Sequence, residues 1–135
     1  MAKTTKTKSK PRILIVEDDP AVMKLFSTVL SESGYDVIEA THGLPAMFRV
    51  VRTPPDLILA DLHMPLLNGL ELLDQFKSCD ETRDIPVVVV TGSATPQDRD
   101  RAFKAGCAGY ITKPIDIVKF PAQVAKFLRA RPDPT

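Results

Sequence analysis

Residues 55–73 read PDLILADLHMPLLNGLELL. The apolar run Leu57–Ala60 has the length and composition of a strand that is buried on both faces. The next nine residues, 61–69, include Pro, Asn and Gly, which favour a loop, and leucines at helical spacing follow them. A buried strand followed by a loop and a helix is typical of one repeating unit of a parallel sheet.

The same alternation extends along the chain in both directions from this unit. Four further strands are predicted, at Ile13–Val16, Tyr35–Ala40, Val87–Val90 and Ala108–Thr112. A helix is predicted after each strand, and the last one should have Pro121 in its first turn, because a mid-helix proline costs about 3 kcal/mol. Five strands alternating with five helices predict an α/β fold with a doubly wound, five-stranded parallel sheet.

Large apolar residues at helical spacing predict which faces of the helices are buried. The first two helices have the stripes Val22, Leu25, Phe26, Val29, Leu30 and Leu44, Met47, Phe48, Val51. The later helices have Leu70, Leu73, Phe76, then Ala102, Phe103, and finally Phe120, Val124, Phe127, Leu128. Asp19 precedes Pro20 and is predicted to cap the first helix.

Composition describes one globular domain with a short tail at each end. Of the 135 residues, 44% are hydrophobic and 26% charged, which argues against intrinsic disorder. Residues 1–11 contain four lysines and no acid and are predicted to be a disordered basic tail, and 131–135 a loose tail. The domain is therefore expected to span 12–130. The net charge of +1 conceals a charge of −3 on residues 12–135, which hold 14 basic and 17 acidic residues.

The sequence contains no sign of export or of a membrane span. No apolar run approaches the roughly 20 residues of a membrane helix, and no apolar segment follows the basic N-terminus. Cys79 and Cys107 lack the spacing of a zinc site and are predicted to be buried free thiols. A cytoplasmic location is expected.

Chemically active residues stand directly after four of the five predicted strands. Glu17 and Asp18 follow the first strand, Asp61 follows the third, Thr91 ends the fourth and Lys113 follows the fifth. Ligands of doubly wound sheets bind beyond the carboxyl ends of the strands, so we expect these side chains to converge there.

The set makes chemical sense as a phosphoryl-transfer site. Three converging carboxylates repel one another and need a cation, and hard oxygen ligands suit Mg²⁺. Lys113 can hold a phosphate, and the Thr91 hydroxyl can donate to a phosphoryl oxygen. A carboxylate beside the metal can act as the nucleophile of aspartyl-phosphate chemistry.

At this point the chain resembles a known family, the response-regulator receiver (CheY-like) domain, over about residues 11–130. The resemblance rests on ILIVEDDP (13–20), PDLILADLHMPLLNGLELL (55–73), IPVVVVTGSA (85–94) and AGCAGYITKPI (105–115). The joint spacing is specific, with 43 residues from Asp18 to Asp61, 30 from Asp61 to Thr91 and 22 from Thr91 to Lys113. The resemblance implies the strand order 2-1-3-4-5.

The family's roles carry over by position. The resemblance implies that Asp61 is the phosphoacceptor and Asp18 a direct ligand of Mg²⁺, or of Mn²⁺ in its place. Glu17 would be the neighbouring acid that often acts through water, and the backbone carbonyl of His63 the third protein ligand. Glu17 stands where many relatives have Asp, a common variant.

The resemblance also implies a conformational switch. Thr91 and Lys113 would sense the phosphoryl group, Tyr110 would move inward when the Thr91 hydroxyl moves, and the Lys113–Pro114 bond would be cis. The surface of the fourth helix, fifth strand and fifth helix would change in response. Its candidate readout residues are Arg99, Arg101, Lys104, Asp116 and Lys119.

The implied function is a phosphorylation-activated switch of a two-component system, with no direct DNA or membrane binding. Its expected partners are a sensor histidine kinase or a histidine phosphotransfer protein and a downstream protein target. The chain would act as a monomer or a phosphorylation-dependent dimer. It is not predicted to be an enzyme beyond its own phosphotransfer and autodephosphorylation.

Other functions fit the residues less well. A nucleotide-binding Rossmann domain needs a glycine-rich turn after the first strand, where this chain has EDDP (17–20). A haloacid-dehalogenase-type phosphatase needs an acid at His63 and a hydroxyl at Pro65. Two alternatives stay open: a receiver-like adaptor that is not phosphorylated, and a shuttle that passes the phosphoryl group to a histidine phosphotransfer protein.

Overall fold

The computed structural model describes residues 10–63, 69–93 and 95–129, without the side chains at 43, 44, 47, 48 and 129. Almost all of the predicted tails, 1–11 and 131–135, lies outside the described residues, as do positions 64–68 of the predicted loop and the Leu44, Met47 and Phe48 side chains. The domain bounds of 12–130 stay a prediction.

Five parallel strands form one sheet in the order β2-β1-β3-β4-β5, as predicted. The strands are β1 (Arg12–Val16), β2 (Asp36–Ala40), β3 (Leu57–Ala60), β4 (Val87–Thr91) and β5 (Gly109–Thr112). The helices are α1 (Pro20–Glu32), α2 (Gly43–Arg52), α3 (Gly69–Ser78), α4 (Pro96–Lys104) and α5 (Phe120–Arg129).

Alternation along the central strands divides the core into two layers. Leu14 and Val16 of β1 face one layer, which α2, α3 and α4 cover, whereas Ile13 and Ile15 face the layer under α1 and α5. Every residue of β3 and β4 is buried, since helices cover both faces of the sheet. Because all five strands are parallel, their carboxyl ends lie at one edge of the sheet.

The helix ends agree with the sequence signals. Asp19 caps α1, its Oδ1 accepting from the Ala21 N–H at 2.9 Å, and Gly34 follows the helix with a φ of +96°. Pro121 is the second residue of α5, after turns at 117–119. Its missing N–H therefore falls in the first turn, where no helical hydrogen bond is lost.

Three large residues of the predicted helix stripes are exposed, which corrects the prediction. Val51 is 66% exposed, and Leu25 and Phe103 each 41%. On α2 and α4 the fully buried residues include Ala46 and Ala102. Small side chains let a helix approach the sheet closely, so part of the contact of α2 and α4 with the sheet is made by Ala46 and Ala102, and Val51 and Phe103 lie outside it.

Two further sequence expectations concern membranes and cysteines. Among the described residues, none of the helices combines the length and the apolar character needed to cross a membrane. Cys107 is buried as predicted, and burial raises its pKa to about 11. Cys79 is only half-buried, because it lies in the turn after α3, where its thiol donates to Glu81 Oε1 at 2.9 Å.

Candidate functional site

An acidic pocket lies at the carboxyl ends of β1 and β3. Glu17 and Asp61 are buried, at 2% and 7% exposure, whereas Asp18 is exposed beside them. One carboxylate oxygen from each of the three lies within 4.8 Å of the others. The predicted convergence of the three acids is present in the structure.

The sheet itself positions the two buried acids. The backbone N–H of Glu17 donates to Ala40 O (3.0 Å) and that of Asp61 to Val16 O (3.3 Å), so strand pairing continues one residue past β1 and β3. Their side chains are then oriented by nearby amides. Glu17 Oε2 accepts from the Asp19 N–H and Asp61 Oδ1 from the His63 N–H, each at 3.1 Å.

Lys113 reaches into the same pocket from the end of β5. Its Nζ donates to Glu17 Oε1 at 2.8 Å and to Asp61 Oδ2 at 2.9 Å. Its backbone N–H donates to Thr91 O at 2.7 Å, and the Lys113–Pro114 bond is cis, as expected. The lysine therefore supplies a positive charge between two buried carboxylates.

Burial and pairing act in opposite directions on the charges of this pocket. Burial raises the pKa of Glu17, and the hydrogen bond from Lys113 only partly offsets it. Burial lowers the pKa of Lys113, but the bonds to Glu17 and Asp61 outweigh burial, so its pKa is raised. The ammonium group therefore stays protonated at neutral pH.

Replacing Lys113 by alanine is expected to destabilise the metal-free protein, because it leaves two buried carboxylates without their cation. We expect a loss of about 2 kcal/mol of unfolding free energy. Urea denaturation in EDTA measures it, with Lys126→Ala, an exposed lysine of α5, as the matched control. Equal stabilities of the two variants would contradict the role of Lys113 as the cation that pairs with Glu17 and Asp61.

The residues present suit a divalent cation of the Mg²⁺ type. Glu17, Asp18 and Asp61 offer hard carboxylate oxygens on one side of the pocket, and the exposed Asp18 leaves that side open to water. The N–H of His63 donates to Asp61 Oδ1 at 3.1 Å, so the backbone of His63 lies beside the cluster. The His63 carbonyl as a ligand stays a prediction.

The predicted switch residues, Thr91 and Tyr110, are connected through Ser93. Thr91 is fully buried, and its Oγ1 accepts from the Ser93 N–H at 3.4 Å. The half-buried Tyr110 donates its hydroxyl to Ser93 O at 2.9 Å. No pattern in the sequence indicates this link.

A second group that sequence reasoning missed is Asp98, in the first turn of α4. Its Oδ2 accepts from Ser93 Oγ at 2.5 Å and lies 3.6 Å from His63 Nε2. The one available signal is the Thr95-x-x-Asp98 spacing of a capping box, which indicates a helix start but not a contact with the site.

The predicted readout residues are exposed, and most already have partners. Arg99 lies over the rings of Phe103 (5.0 Å) and Tyr110 (5.6 Å). Ion pairs join Arg101 to Asp98 (3.8 Å) and Lys104 to Asp100 (3.1 Å). Asp116 Oδ1 accepts from the N–H groups of Val118 and Lys119, so it organises the turn before α5.

Comparison with known proteins identifies a family and several relatives. The family described as the response regulator receiver domain matches residues 13–125. The chain is 40% identical over 116 residues to the polar-differentiation response regulator DivK of Brucella anthropi, covering 86% of this chain and 94% of DivK. It is 39% identical over 119 residues to the DNA-binding dual master transcriptional regulator RpaA of Synechocystis, covering 88% of this chain and 49% of RpaA. The chain thus spans about half the length of RpaA.

A solved structure extends the comparison to the site. The receiver domain of a sensor histidine kinase from Pseudomonas aeruginosa, with a magnesium ion coordinated in its active-site cleft, matches with a TM-score of 0.83 at 26% identity. The match covers 90% of this chain and 99% of that one. By sequence and by fold, the chain belongs to the response regulator receiver domain family, the signalling domains of two-component systems.

Proposed function

We propose that this chain is a phosphorylation-activated switch in which Asp61 accepts a phosphoryl group from the phosphohistidine of a sensor kinase or of a histidine phosphotransfer protein. The observation that carries the proposal is the setting of Asp61. It is a buried carboxylate at a strand end, bonded to Lys113 at 2.9 Å and clustered with two further acids.

The transfer needs a nucleophile of fixed orientation. The His63 N–H holds Asp61 Oδ1 and the Lys113 ammonium holds Oδ2. An Asp61 oxygen attacks phosphorus and forms the new O–P bond, the P–N bond of the phosphohistidine breaks, and the imidazole nitrogen keeps its electron pair. The ammonium of Lys113 lies where negative charge collects and stabilises it.

The acids around Asp61 are the groups that would hold a cation to offset this charge. A Mg²⁺ ion bound by Glu17, Asp18, Asp61 and the His63 carbonyl would offset the carboxylate charge and polarise the phosphoryl oxygens. Lys113 and the Asp19 N–H both bond Glu17, which holds its carboxylate in the cluster with Asp61. The exposed Asp18 leaves the pocket accessible to a donor.

The proposed output is a shift between two packed states. The phosphoryl group draws the Thr91 hydroxyl toward Asp61, Tyr110 turns inward, and the surface of α4, β5 and α5 changes for a protein partner. A net charge of −3 on residues 12–135 does not favour association with polyanionic DNA, so the proposed target is a protein. A monomer or a phosphorylation-dependent dimer would be compatible with this output.

A direct test is incubation with acetyl phosphate and Mg²⁺, followed by intact-mass measurement. We expect a mass gain of one phosphoryl group, because the acyl phosphate replaces the phosphohistidine as donor. EDTA is expected to prevent the gain, since the carboxylate charge is then not offset. No gain with acetyl phosphate or with any histidine kinase would instead identify an adaptor that is not phosphorylated.

A further inference from the structure

The ring of Tyr110, on β5, lies between the core and the guanidinium group of Arg99, on α4. The tyrosine is half-buried and packs against the core layer that α2, α3 and α4 cover. Its hydroxyl donates to Ser93 O at 2.9 Å, so the whole side chain is held inward. Arg99 is exposed, and its guanidinium carbon lies 5.6 Å from the centre of the Tyr110 ring. A cation therefore covers the ring on its solvent side.

A second ring fixes the guanidinium group in this place. Phe103 follows Arg99 by four residues on α4, so the two side chains are neighbours on one face of the helix. The guanidinium carbon lies 5.0 Å from the centre of the Phe103 ring. Among the described residues, no carboxylate forms an ion pair with Arg99, whereas Arg101 and Lys104 each have one. Two aromatic rings therefore determine where this cation lies.

Each of these contacts is a cation–π interaction, in which a cation is attracted to the negative face of an aromatic ring. Both distances are within the limit of about 6 Å from the ring centre at which this attraction is effective. A guanidinium group is planar and weakly hydrated, so it can lie on a ring at little desolvation cost. At an exposed site, one such contact changes an equilibrium constant by about two- to fivefold.

We propose that Arg99 is a positioning residue that holds Tyr110 in its inward position and so favours the switched surface of α4, β5 and α5. The proposal rests on the function proposed above, in which an inward Tyr110 accompanies phosphorylation of Asp61. Another Tyr110 rotamer would carry the ring away from a guanidinium group that Phe103 holds, so the contact is made in the inward position only. A contact made in one of two positions raises the population of that position.

Removing the guanidinium group should slow phosphoryl uptake. Arg99→Gln keeps a good helix former at this exposed position but has no charge, so the fold should be retained. With acetyl phosphate and Mg²⁺, we expect this variant to react about two- to fivefold more slowly than the wild type, because fewer molecules have Tyr110 inward. Intact-mass measurement over time gives the rates.

Two comparisons separate an effect on the ring from an effect of charge alone. The matched control Arg49→Gln makes the same change at an exposed position of α2 and is expected to react at the wild-type rate. Tyr110→Leu removes the aromatic face, so adding Arg99→Gln to it is expected to make no further change. Equal slowing with and without the ring would show that Arg99 attracts the anionic donor directly, and would overturn the proposal.

A second readout needs no phosphoryl donor. Nuclear Overhauser effects between the Tyr110 ring protons and the methyl groups of the core report how much of the protein has the ring inward. The sequence has two tyrosines, so a Tyr35→Phe background leaves Tyr110 as the one tyrosine signal. We expect these intensities to fall in Arg99→Gln and to stay unchanged in Arg49→Gln. A purely structural role of Arg99 would lower the unfolding midpoint in urea and leave the intensities unchanged.

The two readouts separate failure of this proposal from failure of the proposed function. If the wild type is phosphorylated but Arg99→Gln reacts at its rate, the role of Arg99 is overturned and the phosphorylation switch stands. If the wild type takes up no phosphoryl group, the proposed function fails. The ring-to-methyl intensities then still decide whether Arg99 holds Tyr110 inward, which wild-type intensities in Arg99→Gln would overturn.

Discussion

Asp61→Asn is expected to abolish phosphoryl uptake from acetyl phosphate in the presence of Mg²⁺. An amide oxygen is a far weaker nucleophile than a carboxylate, and the substitution leaves the side-chain shape unchanged. Lys113 keeps its bond to Glu17, and one of two neighbouring buried carboxylates is neutralised, so the fold should be retained. Intact-mass measurement and urea denaturation check the two expectations together.

The control for this substitution is Asp74→Asn, which makes the same chemical change at an exposed position of α3. It is expected to take up the phosphoryl group as the wild type does. Phosphorylation of the Asp61→Asn protein at the wild-type level would show that the acceptor lies elsewhere, and peptide mapping would then locate it.

Gly69→Ala is expected to have the largest effect on stability. A Cβ at this position would overlap with Asp61 O and would lie 2.7 Å from Leu62 Cα. Both atoms belong to the backbone at Asp61, the candidate phosphoacceptor, and the residue after it. The Gly69 N–H also donates to Leu62 O at 3.0 Å. Either this backbone or the start of α3 must move, so we expect a loss of about 3 kcal/mol of unfolding free energy. Urea denaturation followed by circular dichroism measures it.

Gly92→Ala is the matched control, because it adds the same methyl group at the end of the neighbouring strand. No atom lies within 4 Å of a Cβ built there. Its unfolding free energy is expected to stay within about 0.5 kcal/mol of the wild type. A Gly69→Ala protein as stable as Gly92→Ala would contradict the close approach of α3 to the strand end.

The number, type and order of the elements could be predicted because each depends on local pattern. The sequence alone is enough to recognise the four valines of β4, the cap at Asp19 and the position of Pro121. Helix faces were predicted less well. The size of Val51 predicts that it lies on the buried side of α2, but the buried face of this helix includes Ala46, which a periodicity of large residues does not reveal.

The candidate site divides in the same way. Residues at strand ends must lie at one edge of a parallel sheet, so the approach of Asp18 and Asp61 follows from the order of strands. The difference in exposure between Asp18 and its neighbour Glu17 could not be predicted in this way, because both residues follow the same strand. The contact of Asp98 with Ser93 could not be predicted either, because it depends on how α4 is placed after its loop.

By itself, the sequence determined the doubly wound fold, the family and the residue types gathered at the carboxyl edge of the sheet, because repeating local patterns predict the fold and the spacing of the motifs carries the resemblance to the family. Only the tertiary structure decided which atoms meet there. Lys113 reaches Glu17 across 96 positions and Asp61 across 52. Contacts of that kind depend on strand register, loop paths and helix packing, which the whole core sets together.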